Sequence, residues 1–369
     1  MVKAQTVINL IEKLAPKDLA EDWDNVGLQI GNPQSEVNKI LVCLDLTEQI
    51  LDQAVELDVE MIITHHPLIF KPLKKISLAT PLGKKINKII KNDLLVYSAH
   101  TNLDIAWGGI NDILVEKLGL LQPQVLAATG EENFYKLVVF VPAGHEESLK
   151  EALASSGAGW IGNYSHCFFQ TSGTGNFKPL EGTNPFLGSI GKVETTEEYR
   201  LETIIPEKCL KRALQSMLKA HPYEEVAYDL YLLANEGKKV GLGRVGYLPE
   251  PLTLAEFVSQ VKNSLGVKQL RVVGDLDNQI RKVAVCGGSG GSLVSAAAFK
   301  GAQVLLTGDV KYHEARDAED LALNVVDAGH DLTEQVIIPV LVEYLLQELK
   351  EKITVIGLGA NAEPIFRVV

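Results

Sequence analysis

The feature that most constrains this chain is an alternation. Near its start, the short apolar runs "KILVCLDL", "MIITHH" and "LLVYSAH" are separated by stretches of helical period, "TEQILDQAVEL" and "LGKKINKIIKN", and followed by a third, "GINDILVEKLGL". Near its end the alternation returns. "KVAVCGG", "AQVLLTGD" and "LNVVDAG" read as strands, with "SLVSAAAFKG" and "KYHEARDAEDLA" as helices between them. "LTEQVIIPVLVEYLLQELK" then reads as one long amphipathic helix and "ITVIG" as a closing strand. Strands apolar on both faces cannot border water on either side. Both series therefore predict largely parallel sheets covered by helices. Thr47 is the expected cap of the first of these helices.

The two series match in detail. Thr64 lies 21 residues beyond Cys43, and Thr307 lies 21 beyond Cys286; "YSAHTNLD" rhymes with "VDAGHDLTE". This predicts a duplicated α/β module whose strand C-terminal ends share one site, where open α/β sheets place ligands. The middle has another cadence: strand "YKLVVFVP", helix "EESLKEALASSG", a Gly/Thr/Pro-rich loop, strand "YRLETIIP", helix "EKCLKRALQSMLKAHP" and strand "VAYDLYLL". That order predicts a ferredoxin-like α+β domain inserted into the main one. The expected fold is α/β: two similar halves forming one discontinuous domain, residues 1–130 and 237–369, with residues 131–236 inserted.

Composition removes several classes of function. Of 369 residues, 46% are apolar and 22% charged, enough apolar residues for a sizeable core. The formal net charge of −12 argues against nucleic acid or an anionic membrane as partner, since both need basic patches. Cys43, Cys167, Cys209 and Cys286 are widely spaced, which fits a reducing compartment and neither a disulfide framework nor a thiolate metal site. "MVKAQTVINLIEKLAP" has the period of an amphipathic helix rather than a signal peptide, and no apolar run nears the ~18 residues of a membrane span. The expectation is a cytoplasmic protein.

Histidine carries most of the chemical information. His65 and His66 stand together before Pro67, on a strand-to-loop turn. Asp104 follows His100 by four residues, and Glu334 follows His330 by four, a spacing that puts both on one face of a helix. All three segments fall at expected strand C-terminal ends. His65, His66, Asp104, His330 and Glu334 suffice for two divalent ions if Glu334 bridges them. Imidazole and carboxylate without thiolate suit zinc, iron, manganese or nickel alike. His100 is expected to support Asp104. Asp309 is expected beside the pocket, as are Gly287, Gly288 and Ser289 of "CGGSGGS". That turn can either cradle phosphate with its amides or simply permit close backbone approach. The acidic "EDWDNVGLQIG" is a further candidate for lining the pocket.

"EDWDNVGLQIG", "THHPLIF", "YSAHTNLD", "GLGRVGYL", "CGGSGGS", "LLTGDVKYHEARDA" and "DAGHDLTE", in this order, resemble the NIF-three-like family, whose bacterial members are labelled GTP cyclohydrolase I type 2 homologs. The middle resembles the insert of the longer members, likened to PII or CutA proteins. The resemblance implies two similar α/β halves, two metal ions held by His65, His66, Asp104, His330 and Glu334, and a toroidal homohexamer built from dimers. It also implies a candidate activity, addition of water to the guanine ring of GTP followed by ring opening and loss of formate. Asp331, after His330, departs from the family pattern and would add an acceptor near the metals. Two other classes stay open: a metal-handling or regulatory assembly without turnover, and, less well matched, a metallophosphoesterase, for which "TGDVKYHEA" lacks the usual Asp-x-His pairing.

Overall fold

In the computed structural model of this chain, residues 1–350 and 352–359 are described; the end of the domain expected over 237–369 lies outside them. The first series comprises β1 (Val2–Lys3), α1 (Ala4–Leu14), β2 (Gly27–Ile30), β3 (Glu36–Val37), β4 (Lys39–Cys43), α2 (Glu48–Glu56), β5 (Met61–Thr64), α3 (Pro81–Lys91), β6 (Leu95–Ser98), α4 (Thr101–Ile105), α5 (Ile110–Lys117) and β7 (Leu121–Glu131). The middle comprises β8 (Phe134–Pro142), α6 (Glu146–Ser155), β9 (Phe168–Phe177), β10 (Glu194–Pro206), α7 (Glu207–Ala220) and β11 (Tyr228–Leu233). The last series comprises β12 (Lys239–Thr253), α8 (Leu254–Leu265), β13 (Arg271–Val273), β14 (Gln279–Ser289), α9 (Val294–Phe299), β15 (Val304–Gly308), α10 (Tyr312–Asp320), β16 (Asn324–Asp327), α11 (His330–Glu334), α12 (Ile337–Leu349) and β17 (Thr354–Leu358).

The architecture is mixed α/β. Residues 1–129 and the described part of 240–369 form one compact unit, and residues 130–239 another. In the first unit, β4, β5 and β6 run parallel, aligning Cys43, Thr64 and Ser98 at their C-terminal ends. Antiparallel β2 flanks β6, and parallel β17 flanks β4. The second sheet has the same kernel: β14, β15 and β16 run parallel, with Thr307 beside Asp327 and antiparallel β13 flanking β16. Every residue of β5, β6, β15 and β16 is buried, as continuous apolar strands require. Ile63 and Tyr97 of one sheet share a core with Val285 and Leu306 of the other, together with Ile11 of α1 and Leu341 of α12. Each such aliphatic side chain contributes ~1.5–3 kcal/mol by leaving water. Thr47 caps α2 as expected, its Oγ1 accepting from the Ile50 amide at 3.2 Å.

Two local expectations need correction. The run read as one strand to Leu46 ends at Cys43, leaving Asp45 on the turn. The long final helix is two helices, α11 and α12, because Pro339 cannot donate to Gln335 and its ring would strike that carbonyl. In the first turn of α12 the same proline is tolerated.

In the second unit, β8–α6–β9–β10–α7–β11 forms an antiparallel sheet of order β11-β8-β10-β9. Its core joins Leu137 and Val139 of β8 and Leu201 and Ile205 of β10 to Leu149, Leu153, Ala213 and Met217 of the helices. Among the described residues no helix is long and apolar enough to cross a membrane.

Candidate metal centre

The C-terminal ends of β5, β6, β15 and β16 collect the residues singled out from sequence. His65 and His66 follow β5 directly. His100 caps α4, which carries Asp104. Asp309 follows β15, and His330 and Glu334 open and close α11. A cavity of about 670 Å³ spreads over this cluster; His66, His100, Asp104, His330 and Glu334 line it, with Trp23 and Phe70 at its exposed rim.

Each imidazole is fixed through Nδ1. His65 Nδ1 donates to the Ala99 carbonyl at 2.8 Å, and His66 Nδ1 faces Asp45 Oδ1 at 2.9 Å. His330 Nδ1 faces Asp309 Oδ2 at 2.8 Å, and His100 Nδ1 faces Asp24 Oδ1 at 2.9 Å. This anchoring turns Nε2 of His65, His66 and His330 toward Glu334, the arrangement by which carboxylates and carbonyls orient metal-binding histidines. His65 Nε2 lies 3.6 Å from Glu334 Oε1 and 3.8 Å from Asp104 Oδ1. His66 Nε2 lies 3.0 Å from Glu334 Oε2, and His330 Nε2 3.2 Å from Glu334 Oε1.

Three groups of side chains could each hold a metal ion: His65, Asp104 and Glu334; His66, His330 and Glu334; and His65, His66 and His100. The first two share Glu334. The donor set is nitrogen and oxygen only, and three buried polar atoms have no aligned hydrogen-bond partner: His65 Nε2, Asp104 Oδ1 and Glu334 Oε2. Such orphans are costly unless a further group satisfies them, so these residues fit a bound cation.

The buried charges of the cluster shift one another. Burial opposes a charged His66, but Asp45 and Glu334 outweigh it and push this imidazole up to about 10. The hydrogen bond to Glu334 pushes His330 up to about 9 against its burial. Burial also works against the His65 imidazolium, yet Glu334 and Asp104 lift it above its ordinary value. Burial raises Asp104 to about 6, with His65 opposing. Glu334 is buried as well, but its three histidines hold it well below the usual carboxylate range.

The Duf34/NIF3 (NGG1p interacting factor 3) family model matches residues 2–364. This chain belongs to the NIF3 family. It is 48% identical over 367 residues to the GTP cyclohydrolase 1 type 2 homolog of Halalkalibacterium halodurans, covering 99% of this chain and 98% of that protein. It is 48% identical over 329 residues to the protein of the same name from Bacillus subtilis, covering 89% and 88%. A crystal structure of a Bacillus cereus protein related to NIF3 superposes with a TM-score of 0.92 at 47% identity, covering 100% of this chain and 99% of that one.

Within this NIF3-family chain, the glycine-rich turn permits close backbone approach. Its amides are already engaged: Gly287 with Asn111 Oδ1, Gly288 with Thr333 Oγ1 and Gly290 with Thr307 Oγ1. Gly288 has φ +64°, and a Cβ on it would lie 2.1 Å from Glu334 Oε1, so glycine is what admits the shared carboxylate. Gly287 and Ser289 line the cavity. His100 pairs with Asp24 rather than supporting Asp104, whose backbone carbonyl is held by Asn111 Nδ2 at 2.9 Å. Asp331 is exposed and joins none of the three groups.

Sequence reasoning missed three supporting residues. Asp45 was read into a strand. Asp24 lay in a flagged acidic segment without being singled out. Arg244, in "GLGRVGYL", is fully buried; it makes a two-pronged pair with Asp112 at 2.9 and 3.0 Å, stacks 4.4 Å over Trp107, and donates to the Ala106 carbonyl at 3.1 Å, just beyond the helix that carries Asp104.

Proposed function

We propose that this chain holds two divalent metal ions, His65, Asp104 and Glu334 about one and His66, His330 and Glu334 about the other, with Glu334 as bridge. We further propose that it is a metal-dependent hydrolase of a nucleotide-like small molecule. The observation that carries this reading is the convergence of orphaned buried donors on two groups that share one carboxylate. A divalent ion bound there would supply a Lewis acid and a water whose pKa falls to ~7 in the case of zinc. The residues about it do the remaining work. Asp45, Asp309 and the Ala99 carbonyl hold the three imidazoles in one tautomer and orientation. His100, backed by Asp24, presents Nε2 as a site where a proton can be taken or given. Trp23 and Phe70, with ring centroids 5.7 Å apart, offer an aromatic rim for a planar ring.

The printed name of the relatives makes GTP the first substrate to try, with ring opening and formate release as the candidate reaction. Protein reconstituted in turn with zinc, iron, manganese and nickel is incubated with GTP and with a panel of nucleotides. Metal-dependent formate release, abolished in His66→Ala, supports the assignment. Full metal content in both His65→Ala and Glu334→Ala overturns the site.

A second reading, metal handling without turnover, draws on the partial exposure of His66 and His330, with side chains 23% and 34% accessible. Rapid exchange of metal to a chelator, with no product from any nucleotide, distinguishes it. For residues 131–236 we propose an inserted ferredoxin-like domain of the PII/CutA kind, supported by the β-α-β-β-α-β order. For the assembly we propose a homohexamer, a toroidal trimer of dimers, which light scattering on the eluted protein tests directly.

A further inference from the structure

The Gly/Thr/Pro-rich segment after β9 plays no part in the metal centre, yet it is firmly built. The Thr183 hydroxyl donates to the Leu180 carbonyl at 2.8 Å, the Gly191 amide to the Pro179 carbonyl at 2.8 Å, and the Asn184 amide to Glu224 Oε1 at 3.0 Å. Beneath it lies a cavity of about 540 Å³, formed wholly within residues 130–239. Four aromatic rings line it: Phe140, Phe177, Phe186 and Tyr223. Tyr223 is their hub, with ring centroids 5.8 Å from Phe177 and 6.2 Å from Phe186.

The polar part of the wall is acidic. Glu198, Glu224 and Glu225 face Lys178 as the single basic lining residue. Tyr223 donates its hydroxyl to Glu198 Oε1 at 3.0 Å and so holds that carboxylate in place. Gly175 makes room for it, since a Cβ there would lie 2.1 Å from Glu198 Oε2. Arg200, two positions along β10, pairs through Nε with Glu202 Oε1 at 2.8 Å, and its guanidinium lies 5.8 Å from the Phe140 ring centroid, so Phe177, Phe186 and Tyr223 are the rings left for a guest. A volume of this size suits a small organic molecule. Aromatic faces attract cations and carboxylates repel anions, so rings and acids together select the sign of the guest.

We infer that this cavity binds a small organic cation, a quaternary or protonated amine carrying an apolar or aromatic body. The ring faces take the alkylated nitrogen, Glu198 supplies the counter-charge, and the 178–187 segment covers the apolar portion. No residue of the metal centre lines this cavity, and the inference does not depend on the reading given to that centre.

Calorimetric titration of the full chain with benzyltrimethylammonium, benzyl alcohol and benzoate tests the inference, since the three share a ring and differ in charge. The cation is expected to bind at least about tenfold more tightly than the alcohol, and benzoate more weakly than either. Glu198→Gln should weaken the cation about tenfold and leave the alcohol unchanged. Equal affinity for cation and alcohol, tighter binding of benzoate, or no binding of the cation overturns it. So does an undiminished affinity for the cation in Glu198→Gln. Should that variant misfold, Phe186→Leu replaces it, because Phe186 is half exposed on the covering segment. Loss of cation affinity in Phe186→Leu supports the site, and unchanged affinity overturns it.

Discussion

The Nε2 atoms of His66 and His330 lie 3.3 Å apart. Each ring has its Nδ1 committed to an aspartate, so neither can turn away. Between them sits Glu334, the carboxylate that also approaches His65. If Glu334 joins two metal groups, its loss must empty both, whereas Asp104 serves only one. Elemental analysis should therefore find Glu334→Ala depleted in both ions and Asp104→Asn retaining about half of the metal. Equal retention by the two variants would contradict the bridging role.

Metal uptake should release protons and strengthen with pH. His66 and His330 are pushed from the ordinary 6.5 up to about 10 and about 9, so at neutral pH both carry a proton on the atom a metal needs. Each proton must leave on binding, and affinity should climb by up to about hundredfold per pH unit until pH nears 9. Titrations in buffers of different ionisation enthalpy count the released protons directly. A pH-independent affinity between 6.5 and 9 would mean that these imidazoles are not the ligands.

Gly288→Ala should weaken metal retention without replacing any ligand. Its backbone is left-handed, and the added Cβ would meet Glu334 Oε1 at 2.1 Å. The backbone term alone costs ~1 kcal/mol, and the displaced carboxylate adds to it. A thermal melt lowered by several degrees, with metal content reduced in parallel, is the expected result.

Breaking the Arg244–Asp112 pair should cost far more than a surface ion pair. Arg244 is wholly buried, so Arg244→Met leaves Asp112 without its counter-charge, at ~3–5 kcal/mol. The double variant Arg244→Met with Asp112→Leu should recover part of that loss, because neither charge is then stranded. Denaturant midpoints of the two variants decide the matter.

The clustering of these side chains was legible because strand-end position and helical spacing are local properties. His65 and His66 had to follow an apolar strand, and His330 and Glu334 had to share a helical face. Asp24, Asp45 and Arg244 were not legible, because each acts across the fold: Asp24 reaches His100 76 positions away, and Arg244 reaches Asp112 132 positions away. The glycine-rich turn stayed open between two readings for a related reason. Its amides look free in sequence, and only packing brings Asn111, Thr307 and Thr333 to occupy them. The split between α11 and α12 was present in Pro339, but the apolar period ran across it and masked the break.

Asp24 offers the cleanest test of this supporting layer. Burial would raise its carboxyl, but hydrogen bonds from His100 and Thr101 outweigh burial and hold it at about 2, against an ordinary 3.8. A carboxyl depressed on folding stabilises the folded state above its unfolded value and loses that contribution as pH falls through the folded one. The wild type should thus exceed Asp24→Asn in stability by a constant margin above pH 3.8, and the margin should shrink as pH falls toward about 2. Urea melts of metal-free protein across that range measure it. A margin unchanged down to pH 2 would show that Asp24 acts by shape alone, whereas its loss over the expected window ties His100 to a charged partner.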